Sequence, residues 1–214
     1  MVIVSDSSDI NTFLEAWKKM SEHLDNTVAK FEKKEAVLTR KNIERIIKLL
    51  IKAKSAQQEI ILLGVGRDAD ILRMFSIRLK QIGFARGQVK VVSEEGPFDF
   101  VGGGSDSIAI CLSGRGFTSP TAEIAAIYKE RGAKLVVITS NRKSQLIGSA
   151  DVNLIIEGLT PFDLKLGRYA YGPDQLLHFD PKKRHPGPTL FEVAALMVLE
   201  CIVSSLHFAF HREK

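Results

Sequence analysis

Five short apolar segments, separated by helical segments, constrain the fold of this 214-residue chain most strongly. We predict strands at 59–63, 89–92, 107–112, 134–139 and 152–156. Apolar residues at three- and four-residue spacings predict helices at 68–82 and 118–131 between them. Strands that are apolar throughout and alternate with helices are typical of a parallel sheet covered on both faces. The sequence therefore predicts an α/β fold with a doubly wound parallel sheet.

Helical segments also precede and follow this alternation. A long amphipathic helix and a second helix at 40–54 form a lead-in over 9–54, and Trp17 is predicted to lie in the core or a subunit interface. The chain ends with an apolar helix at 189–210. Because that helix contains Glu192 and Glu200, we expect a buried helix and not a membrane span. We predict one domain over 1–214.

Composition excludes some classes of protein. Cys111 and Cys201 lie in apolar runs without metal-ligand or redox spacing, so we expect reduced core thiols. The first residues lack a secretory signal, which predicts a cytoplasmic protein. A formal charge of +5 permits anionic partners from small phosphates to nucleic acid, but many lysines lie beside glutamates on solvated helix faces.

The first candidate binding loop follows the predicted strand at 59–63 and reads Gly64-Val65-Gly66-Arg67-Asp68. Glycines such as Gly66 let a backbone approach a ligand, and Arg67 offers a guanidinium to a phosphate or carboxylate. The third glycine of a dinucleotide fingerprint is absent. A simple tight turn between strand and helix explains this loop equally well.

The second candidate loop, 113–120, stands between a strand and a helix. It combines glycine, hydroxyl and arginine residues suited to phosphate: Ser113, Gly114, Arg115, Thr118 and Ser119. Hydroxyls and helix-terminal amides donate to phosphate oxygens while an arginine neutralises charge. The alternative is that Thr118 or Ser119 only caps the helix that Pro120 starts.

A long segment at 158–187 carries two histidines among basic residues. His185 is a candidate for a direct role over a phosphorylated sugar or in ring opening, and His178 a weaker one. A solvated basic loop is the alternative for both.

The order of four motifs resembles the sugar isomerase (SIS domain) family, and most of all its 6-phospho-3-hexuloisomerase members. The motifs are Gly64-Val65-Gly66-Arg67, Ser113-Gly114-x-Gly116-x-Thr118-Ser119, Ile138-Thr139-Ser140-Asn141 and Gly187-x-Thr189-Leu190-Phe191-Glu192. The resemblance implies a five-stranded parallel sheet in a three-layer αβα sandwich of flavodoxin-like type. It also implies homodimers or homotetramers, a phosphorylated sugar as ligand, and no metal or organic cofactor.

Residue by residue, the resemblance implies that Ser113, Thr118 and Ser119 hold phosphate and that Gly66 and Arg67 belong to the same site. It implies that Glu192 transfers protons. Isomerisation through an enediol needs a base, and a carboxylate at a helix start beside a pocket can serve. A helix-terminal charge stabilised by the helix dipole is the alternative for Glu192.

Three residues depart from the family pattern, since Arg115 replaces a serine, Phe117 a glutamate and Asp68 a serine. The leading hypothesis is an isomerase that converts 3-hexulose 6-phosphate to fructose 6-phosphate. The departures motivate a rival, a non-catalytic module that senses a phosphosugar or related anion. A transcription regulator ranks last, because the lead-in is too short for a separate DNA-binding domain, so we expect no nucleic-acid partner.

Overall fold

The computed structural model describes residues 6–92, 102–117, 119–158 and 189–211, and they contain one five-stranded sheet. Its strands are β1 (Ile60–Leu63), β2 (Val89–Val92), β3 (Ile108–Leu112), β4 (Lys134–Thr139) and β5 (Val152–Ile155). The spatial order is β2-β1-β3-β4-β5, and every neighbouring pair is parallel. The predicted parallel sheet is confirmed, and the predicted strand bounds lie within one residue of those observed.

Six α-helices surround the sheet in the described parts of the chain. They are α1 (Asp6–Glu32), α2 (Val37–Ala56), α3 (Arg67–Gln81), α4 (Ser119–Glu130), α5 (Gln145–Ser149) and α6 (Thr189–His211), with a 3-10 turn, Lys34–Ala36, between α1 and α2. The sequence pattern does not predict helix α5, because five residues are too few to show a helical period. Its start is fixed locally, since the Ser144 hydroxyl accepts from Leu146 N at 3.1 Å.

The core lies in two layers, one on each face of the sheet. Successive strand residues point to opposite faces, so Ile60 and Leu62 pack with α2, α3 and α6. Ile61 and Leu63 instead pack towards α4 and α5, where Tyr128 is fully buried. Because both faces are covered, the strands are apolar throughout. This arrangement confirms the predicted three-layer αβα sandwich.

Helix α6 is long and apolar enough to cross a membrane by length and composition, with a mean hydropathy of 2.0 over Leu190–His211. The core helix of a globular domain can meet the same criterion. Here α6 packs against α1, α2 and α3, and a stripe of its residues, including Phe191, Ala195 and Leu199, is buried in the core. The hydrophobicity of this stripe follows from its place in the core, whereas other faces of α6 carry exposed apolar residues.

Two expectations about burial are corrected. Trp17 is 62% exposed on α1 and lies beside the exposed Phe13, so it is not part of the core of this chain. Its alternative placement in a subunit interface stays a prediction. Cys201 is exposed although Cys111 is buried as expected. Helix α6 is apolar on nearly all sides, so apolar sequence neighbours did not reveal which of its faces turns inward.

Candidate functional site

The carboxyl ends of β1 and β3 form the crevice of this sheet. The chain runs from β1 to β2 on one side and returns to β3 on the other, so the strand order reverses between β1 and β3. Ligands of open parallel sheets collect at such a reversal. Leu63 pairs with Cys111, which places the ends of both strands at nearly the same level. The two predicted loops therefore flank one crevice.

The backbone of the loop after β3 turns sharply. Ser113 is 1% exposed, its N–H donates to Ile138 O at 3.0 Å, and its hydroxyl accepts from Gly116 N at 3.2 Å. Gly116 has φ 67°, and an added Cβ would lie 2.1 Å from the Ser144 hydroxyl. The position accepts glycine alone, both for its left-handed backbone and for its lack of space. Ser113 thus shapes the loop from within.

Neutral side chains at the end of β4 and directly after it hold three carbonyl groups of the same loop. Thr139 Oγ1 donates to Gly114 O at 3.1 Å, Asn141 Nδ2 to Arg115 O at 2.9 Å, and Ser144 Oγ to Gly116 O at 2.8 Å. All three donors are buried. Sequence reasoning assigned these residues no role in the site. The available signal was a run of polar residues directly after a strand that neighbours the crevice.

The loop after β1 contributes charge. Gly66 precedes α3, and Arg67 is the first residue of that helix. Arg67 Nη1 lies 3.1 Å from Glu192 Oε2 in the first turn of α6. The Arg67 side chain is 53% exposed, whereas that of Glu192 is only 13% exposed. The fold therefore joins two predicted site residues that are remote in sequence.

A second carboxyl group, that of Asp68, lies in the same place. Burial raises the pKa of Asp68, and the negative charge of Glu192 raises it further, to about 7. A hydrogen bond from Gly114 N, at 3.4 Å from Oδ2, and the charges of Arg67 and Arg115 oppose this rise. Burial also raises the pKa of Glu192, against the lowering effect of Arg67. Both carboxyl groups are thus set to exchange protons nearer neutral pH than usual.

The start of α6 packs onto the loop after β3. A Cβ added to Gly114 would lie 2.9 Å from Cδ1 of Phe191, which is fully buried beside Glu192. Gly114 N also faces Asp68, as described above. The amino end of α3, the loop after β3 and the amino end of α6 therefore meet at Gly114. Glycine is required there because two other elements approach it closely.

The structure describes most, but not all, of the predicted site residues. Around the crevice lie Gly66, Arg67, Ser113, Gly114, Arg115 and Glu192. Ser119 begins α4, but its side chain lies outside the described part of the structure, as do Thr118 and His185 entirely. Sequence reasoning treated Asp68 as a departure from the family pattern and missed it as a site residue. Its signal was an acidic residue directly after Arg67 in the first helical turn.

A cavity at the opposite edge of the sheet offers different surroundings. It is lined by Lys54, Gln57, Gly83 and Phe210, near the residues that lead into β1 and β2. Lys54 Nζ donates to Ile82 O at 2.7 Å and lies 3.5 Å from the centre of the Phe210 ring. These contacts give the lysine a structural role. The charged crevice remains the better candidate for binding and chemistry.

Comparison with known proteins agrees with this geometry. The family model described as "SIS domain" matches residues 54–162. An uncharacterized protein of Archaeoglobus fulgidus is 28% identical over 79% of this chain and 80% of its own length. The 3-hexulose-6-phosphate isomerase of Methylomonas aminofaciens is 27% identical over 67% of each chain.

Solved structures share the fold. An Escherichia coli CFT073 protein in complex with a phosphosugar has a TM-score of 0.70 at 16% identity, covering 97% of this chain and 94% of its own. A Methanococcus jannaschii protein, with an inferred function of 3-hexulose-6-phosphate isomerase, has a TM-score of 0.65 at 22% identity and 92% and 91% coverage. The sugar isomerase domain of a Sphaerobacter thermophilus transcription factor has a TM-score of 0.62 at 16% identity, covering 94% of this chain and 96% of its own.

Proposed function

Because this chain belongs to the SIS domain family, we propose that it is a sugar-phosphate isomerase that converts 3-hexulose 6-phosphate to fructose 6-phosphate. The observation that carries this proposal is the contact of Glu192 with Arg67 at the crevice, beside the loop after β3. A carboxylate that can transfer protons and a guanidinium therefore lie beside the loop after β3, whose glycine, hydroxyl and arginine residues are suited to binding phosphate.

Phosphate binding falls to the loop after β3 and to the start of α4. The free amides of a helix start and its positive dipole end attract anions, and Arg115 adds a full positive charge. Thr118 and Ser119 are proposed as the hydroxyl donors. Three hydrogen bonds hold the carbonyl groups of the loop after β3 in place before a ligand binds. This favours binding, because the loop then loses little conformational entropy when the ligand binds.

Proton transfer falls to Glu192. In its ionised form this carboxylate removes the proton from the carbon beside the substrate carbonyl, which gives an enediolate, and returns it to the former carbonyl carbon, while the hydroxyl proton moves to the former carbonyl oxygen. The Arg67 guanidinium stabilises negative charge that develops on the neighbouring oxygens. His185, from the segment outside the described residues, stays a predicted partner in ring opening.

The test is turnover by Glu192→Gln in a coupled assay for fructose 6-phosphate. We expect a loss of at least about 100-fold in kcat, the range of general acid–base catalysis, with ligand affinity largely retained. Glu200→Gln is the matched control, since Glu200 lies two turns along α6 in an ion pair with Arg78 at 2.9 Å. Wild-type protein that turns over none of a panel of phosphosugars contradicts the proposal.

A second candidate function is a non-catalytic sensor of the same phosphosugars. Arg115 and the apolar Phe117 favour it, because they replace a hydroxyl and a carboxylate of the family's phosphate loop. In this case a phosphosugar raises the melting temperature of the wild-type protein without turnover. The Glu192→Gln variant should then show the same ligand-induced rise in melting temperature as the wild type.

A further inference from the structure

Four buried side-chain atoms have no hydrogen-bond partner in the described parts of the chain: Asp68 Oδ1, Arg115 Nη1, Thr121 Oγ1 and Tyr128 OH. The last two are neutral hydroxyls of α4, on the side of the sheet away from α6. Asp68 and Arg115 are ionisable and belong to the two loops that flank the crevice. A buried ionisable group with an unsatisfied polar atom is costly, so these two atoms mark a place where a ligand would bind.

The two groups differ in what they can accept. Arg115 Nη1 is a donor and fits an anionic oxygen such as that of phosphate. Asp68 is an acceptor when ionised, so phosphate itself is repelled there and a hydroxyl group is attracted. A sugar phosphate offers both kinds of group in one molecule, whereas a bare anion offers only the first.

The neighbours of Asp68 leave its Oδ1 available. Gly114 N approaches only Oδ2, at 3.4 Å, and Arg67 is engaged by Glu192 at 3.1 Å. The charged and titratable groups that act on Asp68 are Glu192, Arg67 and Arg115, with the Cys111 thiol close by. A ligand hydroxyl is therefore the donor that would complete this carboxyl group.

We propose that Asp68 is a specificity residue that makes the crevice select hydroxyl-bearing sugar phosphates over phosphate groups without neighbouring hydroxyls. This inference rests on the proposed phosphosugar function and adds the residue that recognises a hydroxyl group of the sugar. The Asp68 carboxylate accepts from a sugar hydroxyl, while the loop after β3 holds the phosphate.

The experiment compares two ligands of equal phosphate chemistry. Calorimetry gives the affinities for fructose 6-phosphate and for propyl phosphate, a phosphate monoester without hydroxyl groups. We expect Asp68→Asn to reduce the preference for fructose 6-phosphate by about 10- to 100-fold, the range for a hydrogen bond to a charged group. Asp68→Ser, which also removes the charge, serves as a second variant and should behave alike. Asp70→Asn, an exposed aspartate of the same helical turn, should leave the preference unchanged.

The pH profile supplies a readout that a structural role would not move. The wild-type preference should weaken as pH falls below 7, because a protonated Asp68 accepts a hydroxyl proton less strongly. Wild type and variant are titrated with the same two ligands, so the ionisation of the phosphate groups is common to both proteins. The preference of Asp68→Asn should change less, which separates Asp68 from Glu192 and the other neighbours.

The outcomes distinguish the two proposals. An unchanged preference in both Asp68 variants overturns the role of Asp68 and leaves the isomerase proposal standing. Fructose 6-phosphate binding without turnover in the wild type overturns the isomerase proposal and leaves the role of Asp68 standing. Failure of the wild type to bind fructose 6-phosphate overturns both.

Discussion

The two loops that flank the crevice are built in different ways. The loop after β3 is held by uncharged hydrogen bonds from Thr139, Asn141 and Ser144, all buried. The loop after β1 leads directly into Arg67 and Asp68, whose surroundings are set by charge. The hydrogen bonds that hold the loop after β3, the scaffold loop, are uncharged, although the loop itself contains an arginine. The loop after β1, the charged loop, carries a titratable carboxyl group. The shape of the first loop can therefore be altered without changing the charges of the second.

The largest expected effect comes from the charged loop. In the folded protein the pKa of Asp68 is about 7, above its ordinary value of 3.8. Well below pH 4 the carboxyl is neutral in both folded and unfolded states, and its destabilising effect grows as pH rises through 4 and is complete above 7. Asp68→Asn should therefore equal the wild type in stability near pH 3 and exceed it by up to about 4 kcal/mol at pH 8.

Urea denaturation across this pH range measures that difference. Asp70→Asn is the control, since Asp70 is exposed and pairs with Arg73 on the same helix. If the difference in unfolding free energy between Asp68→Asn and the wild type stays constant from pH 3 to pH 8, the raised pKa of Asp68 is contradicted.

The next effect should come from the scaffold loop. Gly116→Ala places a Cβ at 2.1 Å from the Ser144 hydroxyl in a left-handed backbone, so we expect a loss of about 2–4 kcal/mol in unfolding free energy. Gly148→Ala is the control, because Gly148 lies in α5 with open space around it. The loss should be the same at pH 5 and pH 8. A strong pH dependence of this loss would contradict the conclusion that uncharged hydrogen bonds hold the scaffold loop.

Thr139→Val tests one brace of the scaffold loop. It removes a hydroxyl that donates to Gly114 O and accepts from Asn141 N at 3.2 Å, so we expect a loss of about 1–3 kcal/mol. Thr121→Val is the same chemical change at a buried hydroxyl without a partner in the described residues, and it should be neutral or stabilising. Equal denaturation midpoints for the two variants would contradict the bracing role.

The smallest expected effect concerns the contact between the charged loop and α6. Arg67→Gln removes a half-exposed partner of Glu192, so the loss of stability should stay below about 1 kcal/mol. Because Arg67 lowers the pKa of Glu192, that pKa should rise in the variant. Carboxyl NMR titration measures the change, with Arg73→Gln as the control on the same helix. A fall in the Glu192 pKa contradicts the ion pair between Arg67 and Glu192.

The fold was largely predictable because its signal is repeated. Five apolar strands separated by helical periods specify a parallel sheet, and strand order then follows from few alternatives. The sequence pattern did not predict helix α5, because that helix is too short to show a helical period. It did not predict the exposure of Cys201, because α6 is apolar on most sides. Local pattern fixes the type of an element better than the direction in which each side chain turns.

The residue types in the sequence supply the available chemistry: glycines and hydroxyls after β3, an arginine after β1 and a carboxylate at the start of the last helix. Which of these groups meet depends on the tertiary structure. Arg67 contacts Glu192, and Asp68 faces Gly114, because β1 and β3 are neighbours at the reversal of strand order. The pKa of Asp68 depends on burial and on charges from other elements, and neither quantity is local in sequence.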